Sequence, residues 1–242
     1  MRMKAFSVRC LKEIVRDPLN LFFGLAFPLI LLCLLSAIQA NIPVNLFEIE
    51  RLAPGITVFG LSFMTLFSAT LVARDRETSF MDRLFTTPLT AFDFISGYIL
   101  SLFPVALLQG VISYLAALAF GLKLSVNILF ALIALFPIAL FFISLGLLLG
   151  SVLTVKQAGG VAGALVTNLS AWLSGIWFDL ELVGGTFQKI ADLFPFVHAV
   201  NMERAIINGS FQISSGDIFY VTAWAIAVFL IAVLLFVRQM RK

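Results

Sequence analysis

Six long stretches of this chain contain no charged residue, and they constrain its fold more than any other feature. These charge-free stretches are residues 18–47, 52–73, 94–122, 124–155, 157–178 and 218–237. A helix of roughly 20 apolar residues, rising about 1.5 Å per residue, crosses a hydrocarbon core about 30 Å thick. We therefore predict an all-α, polytopic membrane protein with six transmembrane helices, near residues 19–40, 52–73, 94–121, 125–150, 157–178 and 218–237.

The composition leaves no room for a separate soluble domain. The chain has 242 residues, a mean hydropathy of +1.08 and 12% charged residues, so six spans and their connections account for nearly all of it. We predict one transmembrane domain over residues 1–242. The two cysteines, Cys10 and Cys33, suggest neither a disulfide framework nor a zinc site.

The positive charges predict the orientation of the chain. An even number of spans places both termini on one side, and that side holds twelve of the sixteen Lys and Arg residues. The other side holds Arg51, Lys123, Lys189 and Arg204. This positive-inside bias predicts a multi-pass protein of the cell membrane, a bacterial or archaeal inner membrane, with both termini cytoplasmic. The basic balance then reflects contact with membrane lipid and not with nucleic acid.

The first 17 residues form a predicted amphipathic helix. Five charged side chains fall within one arc of about 100° on a helical wheel: Arg2, Arg9, Lys12, Glu13 and Arg16. Such a helix is expected in the headgroup region, with its apolar side toward the acyl chains, either as an elbow or as a simple membrane anchor. Pro18 ends it, because the residue before a proline disfavours the helical conformation. The apolar run that follows exceeds the length of a signal peptide, so we predict a retained span.

The segment between the second and third spans is the richest in charge. Four apolar side chains, Phe80, Met81, Leu84 and Phe85, recur at helical spacing and are surrounded by charges of both signs. Pro88 ends this helix, and Thr90 with Asp93 predicts a capping box that opens the third span. The segment is either an amphipathic helix resting on the bilayer or a knob that inserts into a soluble partner.

Residues 179–216 form an outer segment that is too long for a turn and too apolar for a solvated loop. Pro195 divides it into two pieces, each too short to span. Two short helices that dip partway into the outer leaflet fit this pattern, since backbone at membrane depth needs protein or a water-filled cavity around it. A lipid-facing surface loop is the alternative.

The chain lacks the motifs of enzymes and of ion-driven carriers. No phosphate-binding loop and no catalytic or metal-ligating motif occurs, and the only histidine, His198, is assigned a structural role. The charge-free stretches contain no ionisable group of the kind that marks ion sites. Their polar residues Gln109, Thr167, Asn168 and Ser170 form interhelical hydrogen bonds or line a pathway. The pairs Gly146/Gly150 and Gly159/Gly163 predict close helix packing within the chain.

Three stretches resemble the membrane-spanning permease of ATP-binding-cassette transporters of the type-2 export class. They read VRDPLNLFFGLAFPLILL, VARDRETSFMDRLFTTPLTAFDFISGYIL and LSGIWFDLELVGGTFQKIADLFPFVHAVNMER. The chain departs from the usual family pattern at three positions. Ser79 stands where glycine is usual, Tyr98 where lysine is common and Asp179 where proline is frequent.

The resemblance implies a division of labour between chains. A separate ATPase subunit, carrying the ATP and magnesium, would receive a coupling helix over residues 74–87; this chain would hold no cofactor. The implied ATPase-coupling residues are Arg74, Asp75, Arg76, Glu77, Phe80, Met81, Arg83, Leu84 and Phe85. A second copy, or a similar permease, would complete the pathway for an exported drug, lipid, peptide or glycan. The outer segment, with Pro195 and Arg204, would be a re-entrant helix pair that lids the exit. The alternative is a self-contained secondary carrier or channel.

Overall fold

All regular structure in the described part of the chain is helical. The computed structural model describes residues 2–43, 45–78 and 90–240. In chain order the helices are α1 (Arg2–Arg16), α2 (Pro18–Gln39), α3 (Ile49–Glu77), α4 (Ala91–Ala119), α5 (Asn127–Val152), α6 (residues 155–173), α7 (Leu180–Val183), α8 (Gly185–Leu193), α9 (Pro195–Ile207) and α10 (Phe211–Met240). The predicted all-α class is therefore confirmed.

Within the described ranges, five helices are long and apolar enough to cross a membrane: α2, α3, α4, α5 and α10. The sixth predicted span corresponds to α6, which consists of Val155–Gly160, a π-helical turn Val161–Val166 and Thr167–Leu173. Its length, about 28 Å, is close to that of a span. Its sequence is less apolar than those of the other five, since it carries Lys156, Gln157 and Asn168. The number of spans supported by length and apolarity is thus five, and the sixth stays a prediction.

Helix α3 lies at the centre of the bundle and contacts α2, α4, α5, α6 and α9. Its closest neighbour is α5, against which two glycines make room for it. A methyl group added at Gly146 would lie 2.4 Å from the Thr65 carbonyl oxygen, and one at Gly150 would lie 2.5 Å from that of Ala69. Hydroxyl groups of α3 also donate to α5 carbonyls, from Thr65 to Phe142 at 3.0 Å. Packing within the chain is thereby confirmed for this glycine pair.

Part of the apolar side of helix α1 packs inside the bundle. Phe6, Cys10 and Ile14 are buried against the rest of the bundle, where the Phe6 ring packs edge-on against Phe94 and Tyr98 of α4. The expectation that the apolar side faces acyl chains fails for these three residues, because α4 offers the same apolar surface together with aromatic partners. It stays a prediction for Val8 and Val15, which are exposed. The helix ends at Arg16, and the Asp17 side chain accepts hydrogen bonds from the first amides of α2.

Local rules account for several breaks and turns. A π-helical turn, Phe22–Ala26, ends two residues before Pro28 and accommodates the proline within α2. The predicted capping box of Thr90 and Asp93 is confirmed at the start of α4. Between α4 and α5, Gly121 adopts φ of 101°, a conformation that favours glycine, and the two helices pack against each other.

The predicted coupling helix over residues 74–87 lies mostly outside the described residues. Its first four residues continue α3, which ends at Glu77 and so extends beyond the predicted span 52–73. Positions 79–89, with Phe80, Met81, Arg83, Leu84 and Phe85, are not described.

Candidate functional site

The charged side chains in the described part of this bundle gather at its two ends. At the first, here called the α1 end, α1 meets the last turn of α3 and the first turns of α4. At the second, the α9 end, α9 meets the first turns of α3 and α5. Each end holds a buried carboxylate.

A buried carboxylate, Asp75, joins three helices at the α1 end through an ion pair and a hydrogen bond. The Arg9 guanidinium of α1 makes two hydrogen bonds of 2.7 Å to the two carboxylate oxygens of Asp75 in α3, whose side chain is 1% exposed. The Tyr98 hydroxyl of α4 donates to the same carboxylate at 2.8 Å. Glu13 bridges outward, accepting from Arg9 at 2.8 Å and from Arg74 at 3.3 Å. These five residues are called the α1 cluster.

The last two residues of α3 hold the connection between α5 and α6. Arg76 donates to the carbonyl oxygens of Gly150 and Leu153, at the C-terminal end of α5, at 2.7 and 3.2 Å. The Glu77 carboxylate accepts from the Val155 amide, at the first residue of α6, at 2.9 Å. A cation at a helix C-terminus and an anion at a helix N-terminus are both favoured by the helix dipole. The end of α3 is therefore joined to α1, α4, α5 and α6.

Four predicted ATPase-coupling residues can thus be placed. Asp75 is buried and contacts Arg9 and Tyr98, whereas Arg74, Arg76 and Glu77 remain at least partly exposed while making the contacts above. Contact of these residues with an ATPase stays a prediction.

The polar residues of the predicted spans do not form one cluster. Gln109 is buried in α4 against Gly60 of α3; its amide nitrogen donates to Ser113, and its Oε1 has no hydrogen-bond partner among the described residues. Thr167 donates to the Ala162 carbonyl oxygen, and the buried Ser170 hydroxyl is unpartnered within the same ranges. Asn168 is exposed and donates to Ala164 within its own helix.

Helix α9 reaches about halfway along α5. It begins at Pro195, and Phe196 stacks on Phe142, with ring centroids 6.1 Å apart, near the midpoint of α5. It ends where Asn127, the first residue of α5, donates to the Ile207 carbonyl oxygen at 3.1 Å. Pro195 separates α8 from α9, as predicted, and α8 also packs against α9.

Helix α9 carries a fully buried carboxylate next to a desolvated arginine. The Tyr114 hydroxyl of α4 donates to Glu203 at 2.5 Å, while the other Glu203 oxygen has no partner among the described residues. Burial raises the pKa of Glu203 to about 8. Arg204 donates to the carbonyl oxygens of Arg51 and Gly175, and burial lowers the pKa of its guanidinium to about 10, an effect to which the nearby Arg51 adds.

The α9 end is further held by His198, as expected of a structural residue. Its ring forms hydrogen bonds with Asp217 of α10 at 2.7 Å and with the Asp192 carbonyl oxygen at 3.0 Å.

Two cavities of about 140 and 310 Å³ lie beside Arg204 and the exposed ion pair of Arg51 with Asp179.

Sequence reasoning missed Glu203 and the pairing of Arg9 with Asp75. A signal for Glu203 existed, because it follows the buried residues Phe196 and Val200 at helical spacing and so lies on the apolar stripe of α9. No comparable signal identifies Arg9 as the partner of Asp75, since the contact spans distant parts of the chain.

The apolar helices, the helical bundle and the position of the buried polar groups define a multi-pass membrane protein. The chain belongs to the ABC-2 type transporter family, whose sequence profile matches residues 1–208. It is 30% identical over 240 residues to a protein of Porphyra purpurea named "Putative transport permease ycf38", covering 89% of this chain and 80% of that protein. Its namesake in Pyropia yezoensis is 34% identical over 94 residues, 37% of this chain and 32% of the relative. No solved structure matches significantly. The family indicates a transport subunit rather than an enzyme.

Proposed function

We propose that this chain is the permease subunit of an ATP-driven exporter and that a separate ATPase subunit docks at the α1 end. The observation that carries the proposal is the set of contacts at the last turn of α3. Asp75, Arg76 and Glu77 join α3 to four other helices immediately before residues 79–89, where the coupling helix is predicted. Force applied there reaches α3, which contacts most of the bundle.

The proposed orientation puts the α1 end in the cytoplasm. Lys4, Lys12, Arg16, Lys156 and Arg238 belong to segments at this end, whereas Arg51, Lys123, Lys189 and Arg204 belong to segments at the other. The positive-inside rule favours this arrangement. With α6 counted as a span, both termini are cytoplasmic and the chain crosses six times.

A second copy is proposed to cover α6. Gly160, Ala164 and Asn168, each four residues apart, lie exposed on one face of this helix. Small residues let helix backbones approach closely in a membrane, and an exposed amide is costly against lipid but can bond across an interface. This α6 stripe also accounts for the Asn168 part of the low apolarity of the helix, because contact with protein does not require the hydrophobicity that contact with lipid does. A similar permease chain would serve equally as the second subunit.

Helices α8 and α9 are proposed to form a re-entrant pair that lids the exit on the far side. Their support is the depth of Phe196, opposite the middle of α5, and the return of α9 to the first turn of α5. The buried Glu203 holds this lid to α4, and the partly buried Arg204 holds it to α3.

The proposed cargo is a hydrophobic or amphipathic compound, of the drug, lipid, peptide or glycan classes. The core is largely apolar, with mild polarity at Gln109, Thr167 and Ser170. ATP and magnesium belong to the partner subunit, and this chain is proposed to carry no cofactor.

The decisive experiment is capture of the partner from native membranes. The tagged chain is expected to co-purify with a nucleotide-binding polypeptide, and the double variant Phe80→Asp/Leu84→Asp is expected to lose it. The matched control is Leu124→Asp/Val126→Asp, which alters two exposed apolar residues in the turn at the opposite end. Retention of the ATPase by the Phe80/Leu84 variant, or its loss from the control as well, contradicts docking at residues 74–87.

One observation favours a second candidate, a proton-coupled carrier. Glu203 is a buried ionisable group within a membrane protein, and such groups commonly serve proton relays. Proteoliposomes that contain this chain alone, loaded with a fluorescent amphipathic dye, separate the two functions. Dye movement driven by a pH gradient without ATP supports the carrier; movement that requires the ATPase subunit and ATP supports the exporter.

A further inference from the structure

A cavity of about 720 Å³ opens at the α1 end, between α1, the start of α2 and the last turns of α3. Its lining includes four cationic side chains, from Arg9, Lys12, Arg16 and Arg74. Two carboxylates, from Glu13 and Asp17, also line it. The cavity is large enough for a polar ligand. Which of these charges are already paired determines the chemical class of that ligand.

The carboxylates in this cavity are already engaged. Glu13 accepts from both Arg9 and Arg74, and Arg9 also holds Asp75. Asp17 accepts from the amides of Leu19 and Asn20, at 3.0 and 3.4 Å. Lys12 and Arg16 are exposed and form no ion pair among the described residues. Within the described ranges, Lys12 and Arg16 are thus the two cationic side chains of the lining without an ion-pair partner, one helical turn apart on α1. Because amides do not neutralise the Asp17 carboxylate, the four cations face three carboxylates, with Asp75 included, and the cavity has a net charge of +1.

Apolar surface adjoins these charges. Val15 is exposed on α1, and Leu19 and Phe22 are exposed on the first turns of α2, 65% and 44% respectively. Because α2 is apolar enough to span a bilayer, these turns lie where acyl chains begin. A free anion would use only the charges, whereas a phospholipid would use the charges and the apolar surface together.

We propose that this cavity binds an anionic phospholipid. The phosphate and the headgroup lie against Lys12 and Arg16, and an acyl chain runs along Leu19 and Phe22. The floor of the site is the Arg9–Glu13–Arg74 part of the α1 cluster, so a bound lipid braces α1 against α3. The proposal requires that α2 spans a bilayer and does not depend on ATP coupling or on the identity of the cargo.

Native mass spectrometry of the full chain in detergent tests this site. Phosphatidylglycerol is expected to bind about tenfold more tightly than phosphatidylcholine of equal chain length, in keeping with two basic side chains at a membrane surface. Lys12→Gln/Arg16→Gln is expected to abolish this preference. Lys4→Gln/Arg238→Gln removes two exposed cations that do not line the cavity and is expected to keep the preference within about twofold.

A competition measurement and a single variant distinguish a phospholipid site from a free-anion site. Glycerol phosphate in excess is expected to leave the bound phosphatidylglycerol in place; its displacement would identify a free-anion site and overturn the lipid proposal. Equal binding of the two lipids by the wild-type chain, or an unchanged preference in Lys12→Gln/Arg16→Gln, also overturns it. Should the double variant fail to fold, Arg16→Gln alone is expected to weaken the preference about threefold, and no change there counts against the site. Because no ATPase is present, failure of the exporter function leaves these readouts unaffected.

Discussion

At the scale of single residues, the chain uses its buried charges as connectors between helices. Asp75 lies at the α1 end and accepts a hydrogen bond from Tyr98 of α4. Glu203 lies at the α9 end and accepts one from Tyr114 of the same helix. The two differ in their cationic partner. Asp75 has Arg9, whereas Glu203 has no ion-pair partner among the described residues. Burial without a cation accounts for the raised pKa of Glu203.

Removal of the Asp75 carboxylate tests the α1 cluster. Asp75→Ala is expected to lower the free energy of unfolding by about 2–3 kcal/mol, because Arg9 loses its bidentate partner and the buried Tyr98 hydroxyl loses its acceptor. Asp179→Ala removes an exposed pair with Arg51 and is expected to cost about 0–1 kcal/mol. Thermal unfolding of both variants in detergent, followed by tryptophan fluorescence, gives the comparison. Similar losses in both would contradict a structural role for the buried pair.

At the scale of elements, the tightest contact is that of α3 with α5. The methyl group of Gly146→Ala would lie 2.4 Å from the Thr65 carbonyl oxygen, which the α3 backbone cannot withdraw without moving the helix. We expect a loss of about 1–3 kcal/mol in the free energy of unfolding. At Gly216 of α10 nothing lies within 4 Å, so Gly216→Ala is expected to be neutral or stabilising by up to about 1 kcal/mol. Unfolding by titration with SDS measures both, and a stable Gly146→Ala variant would show that α3 and α5 can separate.

The elements that the sequence predicted well are those that local rules determine. The capping box at Thr90 and the break at Pro195 depend on neighbouring residues, so both could be placed before the structure was known. The packing of α1 against α4 could not be predicted, because lipid and the α4 surface are equally apolar partners for Phe6. The partners of Asp75 and Glu203 could not be predicted either, since each contact joins residues far apart in the chain.

At the scale of the whole molecule, the exposed surface differs in character from helix to helix. Exposed apolar side chains on α2, α4 and α10 suit contact with lipid. The α6 stripe does not, since it combines glycine, alanine and an asparagine amide. The same helix is the one that length and apolarity fail to identify as a span. Both observations follow if α6 faces a second subunit across the transport pathway.

Bulky side chains on the α6 stripe test this arrangement. Gly160→Leu/Ala164→Leu is expected to reduce dimer formation at least tenfold, because the added side chains keep the two backbones apart. Ala223→Leu/Ala227→Leu is the matched control, since it adds leucines to two exposed positions four residues apart on α10. Single-molecule photobleaching of the labelled chain in bilayers counts the copies per complex. Two copies in both variants would exclude the stripe from the interface. Loss of dimers in both would show that any added bulk disrupts assembly, whereas loss confined to the α6 variant places the second subunit on this helix.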